Sequence, residues 1–254
     1  SILEINISDT SPISLVRPCG LELEGQGANF VFQGQNPKFS WRATALRGSY
    51  DMGSEPAAGA GYLDSIFRDF EIRITAMNGQ VVYVDHTTLT TYEFSLEKNA
   101  LSPGGPHRQF KFTVYMRDRW GNLSLPATIE VVNPAPAQPT NLLILSGLGT
   151  VSVSFDRPED LDWAGTLVWV GTQSGYNPDN GTLKYDGPDS FIFLNDTAGA
   201  TRYVRVALYD SFGKTGLNMS SEYRVIVGVA GESSFIPPAV PTRLYVTSQS
   251  SSNA

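Results

Sequence analysis

The chain has 254 residues, of which 41% are hydrophobic and 17% are charged, enough apolar side chains for one large core or two ordinary ones. Its net charge of −7 argues against a nucleic-acid partner, because phosphate binding needs a basic surface. Cys19 is the only cysteine, which excludes an intrachain disulfide and a thiolate cage for a metal. No apolar run is long enough to span a bilayer, and no cofactor is predicted.

The two ends of the chain are predicted to belong to neighbouring modules. Residues 1–14 open with SILEINI, whose alternation is typical of a strand, and are predicted to be the tail of a preceding domain or a linker. The Pro-Thr-Arg-Leu of 241–244 repeats the Pro-Thr-Asn-Leu of 139–142. Residues 230–254 are therefore predicted to be a linker or the start of a further module, within a longer polypeptide.

Residues 15–133 are predicted to form a first β-sandwich. Several short segments carry apolar side chains at every second position, which is the pattern of a strand with one face on a core. Turn residues separate these segments, and such spacing favours a sandwich. The predicted strands are FSW (39–41), FEIRI (70–74), VVYV (81–84), TYEFSL (91–96), QFKFTVYMR (109–117) and ATIEVV (127–132).

An insertion at 47–65, RGSYDMGSEPAAGAGYLDS, interrupts this first unit. Gly, Ala and Ser dominate it, so it is not expected to pack a core of its own. Tyr50, Met52 and Tyr62 are apolar exceptions of the kind found at interfaces, and they are candidate contacts with a neighbouring chain or a receptor. The alternative is a loop insertion tolerated at low entropic cost.

A Pro-rich linker at 134–139 is predicted to hold two units apart. Proline cannot donate ladder hydrogen bonds and favours an extended, semi-rigid connector. Residues 140–229 are predicted to form the second sandwich, with Phe155 buried in the place that Trp41 takes in the first. Its predicted strands are VSVSF (151–155), LVWV (167–170), LKY (183–185), FIFL (191–194), YVRVALY (203–209) and EYRVIV (222–227).

One phrase occurs in both units, as MRDRWGN at 116–122 and LYDSFGK at 208–214. If the phrase were a catalytic motif, Asp118 and Asp210 would be its first candidate catalytic residues. Each Asp, however, ends an alternating strand and precedes an aromatic residue and a glycine that permits a positive φ. The phrase is therefore predicted to be a hairpin corner that is repeated because the fold is repeated.

These features resemble the fibronectin type III family, an immunoglobulin-like β-sandwich. VSVSFDRPED is similar to its second strand, with Phe155 as the core aromatic residue, and KFSWRAT offers Trp41 in the same place. The strand that ends in Asp-x-aromatic-Gly is similar to its sixth strand. The place of the family's inward corner tyrosine holds Phe110 in the first unit and Arg202 in the second.

A more specific resemblance is to the fibronectin-like region of bacteriophage tail-tip attachment proteins, the host-specificity or central tail fibre class. It is carried by RDFEIRI (68–74), FTVYMRDRWGN (112–122) and the junction NPAPAQPTNL (133–142). The resemblance implies a non-enzymatic homotrimer in the virion, assembled in the bacterial cytoplasm. Its implied partners are other tail-tip and hub proteins, with a host receptor reached through flanking regions.

Residues that could carry chemistry are few. His86 and His107 lack the supporting motif that a hydrolytic triad needs, so catalysis is not expected. The stretch DRPEDLDW gathers carboxylates that could hold Ca²⁺, although it lacks EF-hand spacing, and a solvated loop is the favoured interpretation. Its candidate ligands are Asp156, Glu159, Asp160 and Asp162.

The resemblance to tail-tip proteins therefore implies a structural virion protein that spaces the tail hub from the receptor-binding end. A rival hypothesis is a non-catalytic spacer in a secreted bacterial polysaccharide-degrading enzyme or an adhesin. The flanking sequence distinguishes them, because a signal peptide and catalytic domain favour the rival and a hub domain favours the tail. An enzyme in its own right is the remote third alternative.

Overall fold

The computed structural model describes residues 15, 17–25, 30–43 and 67–229, which form fourteen strands and one short helix. No helix in the described part of the chain is long and apolar enough to cross a membrane. The first seven strands are β1 (Cys19–Leu23), β2 (Lys38–Arg42), β3 (Phe67–Ala76), β4 (Val81–Thr87), β5 (Thr91–Glu93), β6 (Gln109–Asp118) and β7 (Ala127–Val132), with helix α1 (Leu96–Leu101) between β5 and β6. The second seven are β8 (Leu143–Gly147), β9 (Thr150–Ser154), β10 (Trp163–Gly171), β11 (Leu183–Gly187), β12 (Phe191–Asn195), β13 (Thr201–Asp210) and β14 (Tyr223–Ile226).

Each set of seven strands forms two antiparallel sheets with the same order. In the first set, a three-stranded sheet β1-β2-β5 accompanies a four-stranded sheet β4-β3-β6-β7. The second set repeats this as β8-β9-β12 and β11-β10-β13-β14. The protein is therefore all-β, a tandem of two fibronectin type III-like sandwiches, as the sequence predicted.

The predicted alternation places side chains as expected. Along β6, Phe110, Phe112, Val114 and Met116 are all buried in the first core. Trp41 and Phe155 are also buried, in the first and second cores respectively. Because residues two apart point to the same face of a strand, every second residue reaches the space between the sheets.

Two strands and a helix were not anticipated from the sequence. β1 and β8 have mostly half-exposed or exposed side chains, so neither shows a strong apolar alternation. The predicted strand 91–96 ends at Glu93 and gives way to α1, whose first turn is capped by Ser95, with the side-chain oxygen of Ser95 accepting the Lys98 amide. Serine is a favoured N-cap, because its oxygen satisfies an amide that has no partner within the helix.

Candidate functional site: the joint between the sandwiches

The two copies of the turn phrase adopt the same conformation at the ends of β6 and β13. In each, a carboxylate oxygen accepts the amide two residues on, from Trp120 to Asp118 and from Phe212 to Asp210, both at 2.9 Å. Gly121 and Gly213 follow with φ of 92° and 107°. Only glycine adopts these angles readily. The prediction of a repeated hairpin corner is confirmed.

Asp210 has a second role that its counterpart lacks. Nη1 and Nη2 of Arg108, which precedes β6 in the first sandwich, donate to Oδ2 and Oδ1 of Asp210, both at 2.6 Å. The Asp210 side chain is 1% exposed and that of Arg108 is 19% exposed. A bidentate pair of this kind fixes orientation as well as distance. The ion pair therefore ties the second corner to the first sandwich.

The aromatic residue of the same corner completes the contact. Phe212 is only 4% exposed and belongs to the hydrophobic core of the first sandwich, although it lies in the second. Its ring meets the edge of Phe32 at 5.8 Å between centroids, and the Arg108 guanidinium lies 5.7 Å from its centroid. One side chain of the second sandwich is thus packed into the core of the first.

Hydrogen bonds surround this apolar contact. Nδ2 of buried Asn133 donates to the Asp162 carboxylate at 2.8 Å and to the Gly34 carbonyl at 3.1 Å. Nε2 of Gln35 donates to the Ser211 hydroxyl at 2.8 Å. All three contacts join residues far apart in sequence. We call the set of residues Phe32, Gln35, Arg108, Asn133, Asp162, Asp210, Ser211 and Phe212 the joint.

The linker itself is held against the second sandwich. Nδ2 of Asn218 donates to the Pro136 carbonyl at 2.8 Å and lies 3.4 Å from that of Ala135. Pro136 is buried. A connector that is already stiff because of its prolines is thereby anchored as well.

The joint also perturbs the ionisation of Asp162. Burial raises the pKa of Asp162 above its usual value of 3.8, and the nearby Asp210 charge raises it further, while the Asn133 hydrogen bond acts in the opposite direction. At the corner of the first sandwich, burial alone would raise the pKa of Asp118. Hydrogen bonds from Asn122, Trp120 and Gly121 outweigh it and lower the pKa of that carboxyl. Asp162 in the joint and Asp118 at the end of β6 therefore have pKa values shifted in opposite directions.

The predicted acidic loop does not assemble as a cation site. Asp156 accepts a hydrogen bond from Asn141 at 2.6 Å, whereas Asp162 is buried in the joint. Glu159 and Asp160 are exposed. Among the described residues, no group of three His, Cys, Asp or Glu side chains is placed to hold a metal ion.

The two histidines lie apart in the first sandwich. Nδ1 of His86 is 3.6 Å from Asp69, whose carboxylate is already bound by Arg117 at 2.6 and 2.7 Å. His107 contacts the Pro103 carbonyl at 3.0 Å through Nε2. Neither ring is placed beside a nucleophile in these contacts. The interface candidates Tyr50, Met52 and Tyr62 lie outside the described residues.

The family's corner tyrosine is replaced in two ways. Phe110 is fully buried among other rings. Arg202 instead binds Asp196, in the loop before β13, through two hydrogen bonds of 2.7 Å. An ion pair thus takes the place of the tyrosine in the second sandwich, and it holds the pKa of Asp196 below its usual value.

Sequence reasoning missed the residues that receive the second corner. Arg108 stands in a loop, LSPGGPHR, that shows no periodic pattern, and Asn133 is the first residue of the Pro-rich junction. The available signal was Phe212 itself, a large apolar residue at a turn where solvent exposure is the norm. That signal favours a contact at the turn, but it does not identify the partner.

Comparisons with known proteins concern the fold. No model of a known protein family matches the chain, and no curated protein matches it. The chain is similar to the FN1–FN3 domains of chicken CNTN1, at 14% identity and a TM-score of 0.33, covering 85% of this chain and 68% of that one. It is also similar to a segment of two fibronectin type III domains from chicken tenascin, at 14% identity and a TM-score of 0.36, covering 84% and 99%. At TM-scores this low, neither match bears on what the chain does.

Proposed function

We propose that this chain is a stiff structural spacer that holds two β-sandwiches in a fixed relative orientation. The observation that carries the proposal is the joint, where Arg108 and Asp210 form a bidentate pair around the inserted ring of Phe212. Domain contacts within one chain are by default weak enough to allow relative motion. A buried ion pair, an inserted ring and an anchored linker together oppose that motion.

The contacts of the joint fix the orientation of the two sandwiches and do not form a catalytic centre. Arg108 and Asp210 are paired with each other, the Asp162 carboxylate accepts a hydrogen bond from Asn133, and the apolar centre is filled by Phe212. A catalytic centre needs a cleft in which a reacting group meets solvent or substrate. We therefore infer a non-enzymatic role for the chain.

Within this role, we propose a place in the tail tip or central fibre of a bacteriophage. The support is the resemblance of RDFEIRI, FTVYMRDRWGN and NPAPAQPTNL to that class. A stiff spacer suits an assembly that must transmit force or movement from a receptor-binding end to a tail hub. The homotrimer and the hub partners implied by the same resemblance are part of this proposal.

Rigidity can be measured directly on the 254-residue chain. Spin labels are attached at Lys111→Cys and Lys184→Cys, both exposed positions, with Cys19→Ser removing the native thiol. Double electron–electron resonance should give a narrow distance distribution that broadens in Asp210→Ala and in Phe212→Ala. Asp118→Ala is the matched control, because it alters the same corner in the first sandwich without touching the joint. A broad distribution in the unaltered chain would refute the stiff spacer.

The virion assignment needs a separate test. An antibody raised against the chain should label the distal end of phage tails in electron micrographs of particles made by the organism that carries the gene. Labelling of a secreted polysaccharide-degrading enzyme or of a cell-surface adhesin would instead establish the rival spacer. Light scattering on the full-length protein tests the trimer.

A further inference from the structure

Trp120 occupies the same position as Phe212 but is left uncovered. The corners that carry them share the carboxylate-to-amide hydrogen bond and the positive-φ glycine. Phe212 is nevertheless 4% exposed, whereas Trp120 is 66% exposed. A large exposed ring at a place where its counterpart is buried in an interface is a mark of a contact surface.

The strand register shows where this uncovered corner points. β6 begins at Gln109, which pairs with Val132 where the chain leaves the first sandwich, and ends at Asp118. The Trp120 corner is therefore at the pole that faces away from the second sandwich. β13 runs the same way, from Thr201 to Asp210, and its corner meets the sandwich that comes before it in sequence. If the same relation held one repeat towards the N-terminus, the Trp120 corner would contact a module that precedes the first sandwich.

We propose that the Trp120 corner docks against the C-terminal pole of another β-sandwich that precedes residue 15 in the full-length polypeptide. The interface would repeat the joint, with Trp120 in the role of Phe212. This inference extends the spacer role proposed above, because it makes the known joint one of a series. The two can fail separately, since the joint does not involve Trp120.

The chemistry of the corner specifies what the partner offers. Asp210 needs an arginine from outside its own sandwich, but Asp118 is satisfied locally, because Nδ2 of Asn122 donates to its second oxygen at 2.8 Å. The partner therefore provides an apolar pocket for the Trp120 ring and no cation for Asp118. Where Ser211 accepts from Gln35 in the joint, this corner has Arg119, an exposed cation 4.9 Å from the Trp120 ring centroid. The partner pole should present a carbonyl or carboxylate there.

Solvent access to Trp120 tests the proposal. Iodide quenching of Trp120 fluorescence, isolated by subtracting the signal of a Trp120→Phe variant, is compared between the 254-residue chain and the full-length protein. We expect strong quenching in the 254-residue chain and loss of most of it in the full-length protein. Photo-crosslinking from p-benzoylphenylalanine at position 120 of the full-length protein should then label the sandwich before residue 15.

Each other result overturns the proposal in a distinct way. Protection in the 254-residue chain at all concentrations means that its own residues 1–14 or 44–66 cover the ring. Protection that appears only as concentration rises means that a second copy covers it. Strong quenching in both proteins means that the corner has no partner.

A functional variant separates docking from folding. In the full-length protein, Trp120→Ala should broaden distances measured across the proposed interface while leaving those across the Arg108–Asp210 joint narrow. Phe193→Ala is the matched control, because that ring is also exposed, at 65%, but lies on a sheet face of the second sandwich. Equal distributions in the Trp120→Ala and Phe193→Ala proteins would contradict the docking.

Discussion

The first sandwich fills its core with aromatic rings, whereas the second fills the same topology with branched aliphatic side chains. Phe39 stacks on Phe112 at 3.8 Å between centroids, and further rings surround that pair. Among the buried residues of the second core, Phe155 is the single aromatic residue, and the others are valines, an isoleucine and a leucine. The strand order is nevertheless identical. Alternation of apolar and polar residues is therefore enough to specify this fold, and the choice of side chain adjusts how the space is filled.

The outer faces of the three-stranded sheets differ as well. In the first sandwich Lys38 faces Glu93 across β2 and β5, and the Ser40 hydroxyl donates to Glu22. In the second, the exposed face carries two rows in register, each with a leucine, a serine and a phenylalanine. The rows are Leu143-Ser154-Phe191 and Leu145-Ser152-Phe193. The outer face of the three-stranded sheet can thus be polar or apolar in the same topology, because only the inner face must be apolar.

The largest expected effect tests the two cores. Trp41→Ala and Phe155→Ala should each lower the free energy of unfolding by about 3–5 kcal/mol, the usual loss for a buried ring. Trp41 should lie at the upper end, because its ring contacts both Phe70 and Phe112. Urea denaturation followed by circular dichroism measures both losses. A loss below about 1 kcal/mol at either site would mean that the ring does not fill its core as described.

The second effect separates the two corners. From the sequence alone, Asp118→Ala and Asp210→Ala are expected to cause the same modest loss. The joint changes the expectation for Asp210, because its removal leaves Arg108 without its partner, at a cost of about 3 kcal/mol. Asp118→Ala loses only turn hydrogen bonds, at about 1–2 kcal/mol. Thermal unfolding of both variants decides this, and equal losses would show that the ion pair adds nothing.

A third, smaller effect concerns pH. Because the pKa of Asp162 is raised in the folded chain, its contribution to stability is fully present below the ordinary value of 3.8 and is lost as pH rises through the raised value. Asp162→Asn retains an acceptor for Asn133 without the charge. Its free energy of unfolding, relative to the unaltered chain, should therefore increase as pH rises from the ordinary pKa of 3.8 through the raised value.

Asp118→Asn provides a control of opposite sign for that titration. The pKa of Asp118 is lowered in the folded chain, so its contribution is present above 3.8 and is lost as pH falls through the lowered value. The Asp118→Asn variant should be least stable, relative to the unaltered chain, near neutral pH. Urea midpoints across the pH range measure both differences. A pH-independent difference for Asp162→Asn would show that the buried carboxyl carries no electrostatic penalty.

The smallest expected effect is on the exposed apolar face. Phe193→Ala should change the free energy of unfolding by less than about 0.5 kcal/mol, because the ring is already largely in solvent. Thr91→Ala, at an exposed polar position on β5 of the first sandwich, should behave alike. Denaturation midpoints compare the two. A loss of about 2 kcal/mol at Phe193 would mean that this face is covered in solution.

Strand positions could be predicted because their cause is local. The alternation in 109–117 and 127–132 follows from the geometry of a strand, and the structure confirms β6 and β7 there. β1 and β8 escaped prediction because their side chains lie mostly at the surface and show little alternation. Helix α1 escaped because six residues are too few for a helical period to stand out.

The sequence by itself determined the two sandwiches, the Pro-rich connector and the shared corners, because periodicity, proline and glycine act within a few residues. Only the tertiary structure decided that Asp118 closes its own turn while Asp210 binds Arg108. That pair joins residues 102 positions apart, and no local pattern records which distant side chain will meet a given carboxylate. The fold brings the end of β13 to the start of β6, and the repeated phrase thereby has different structural contacts in each copy.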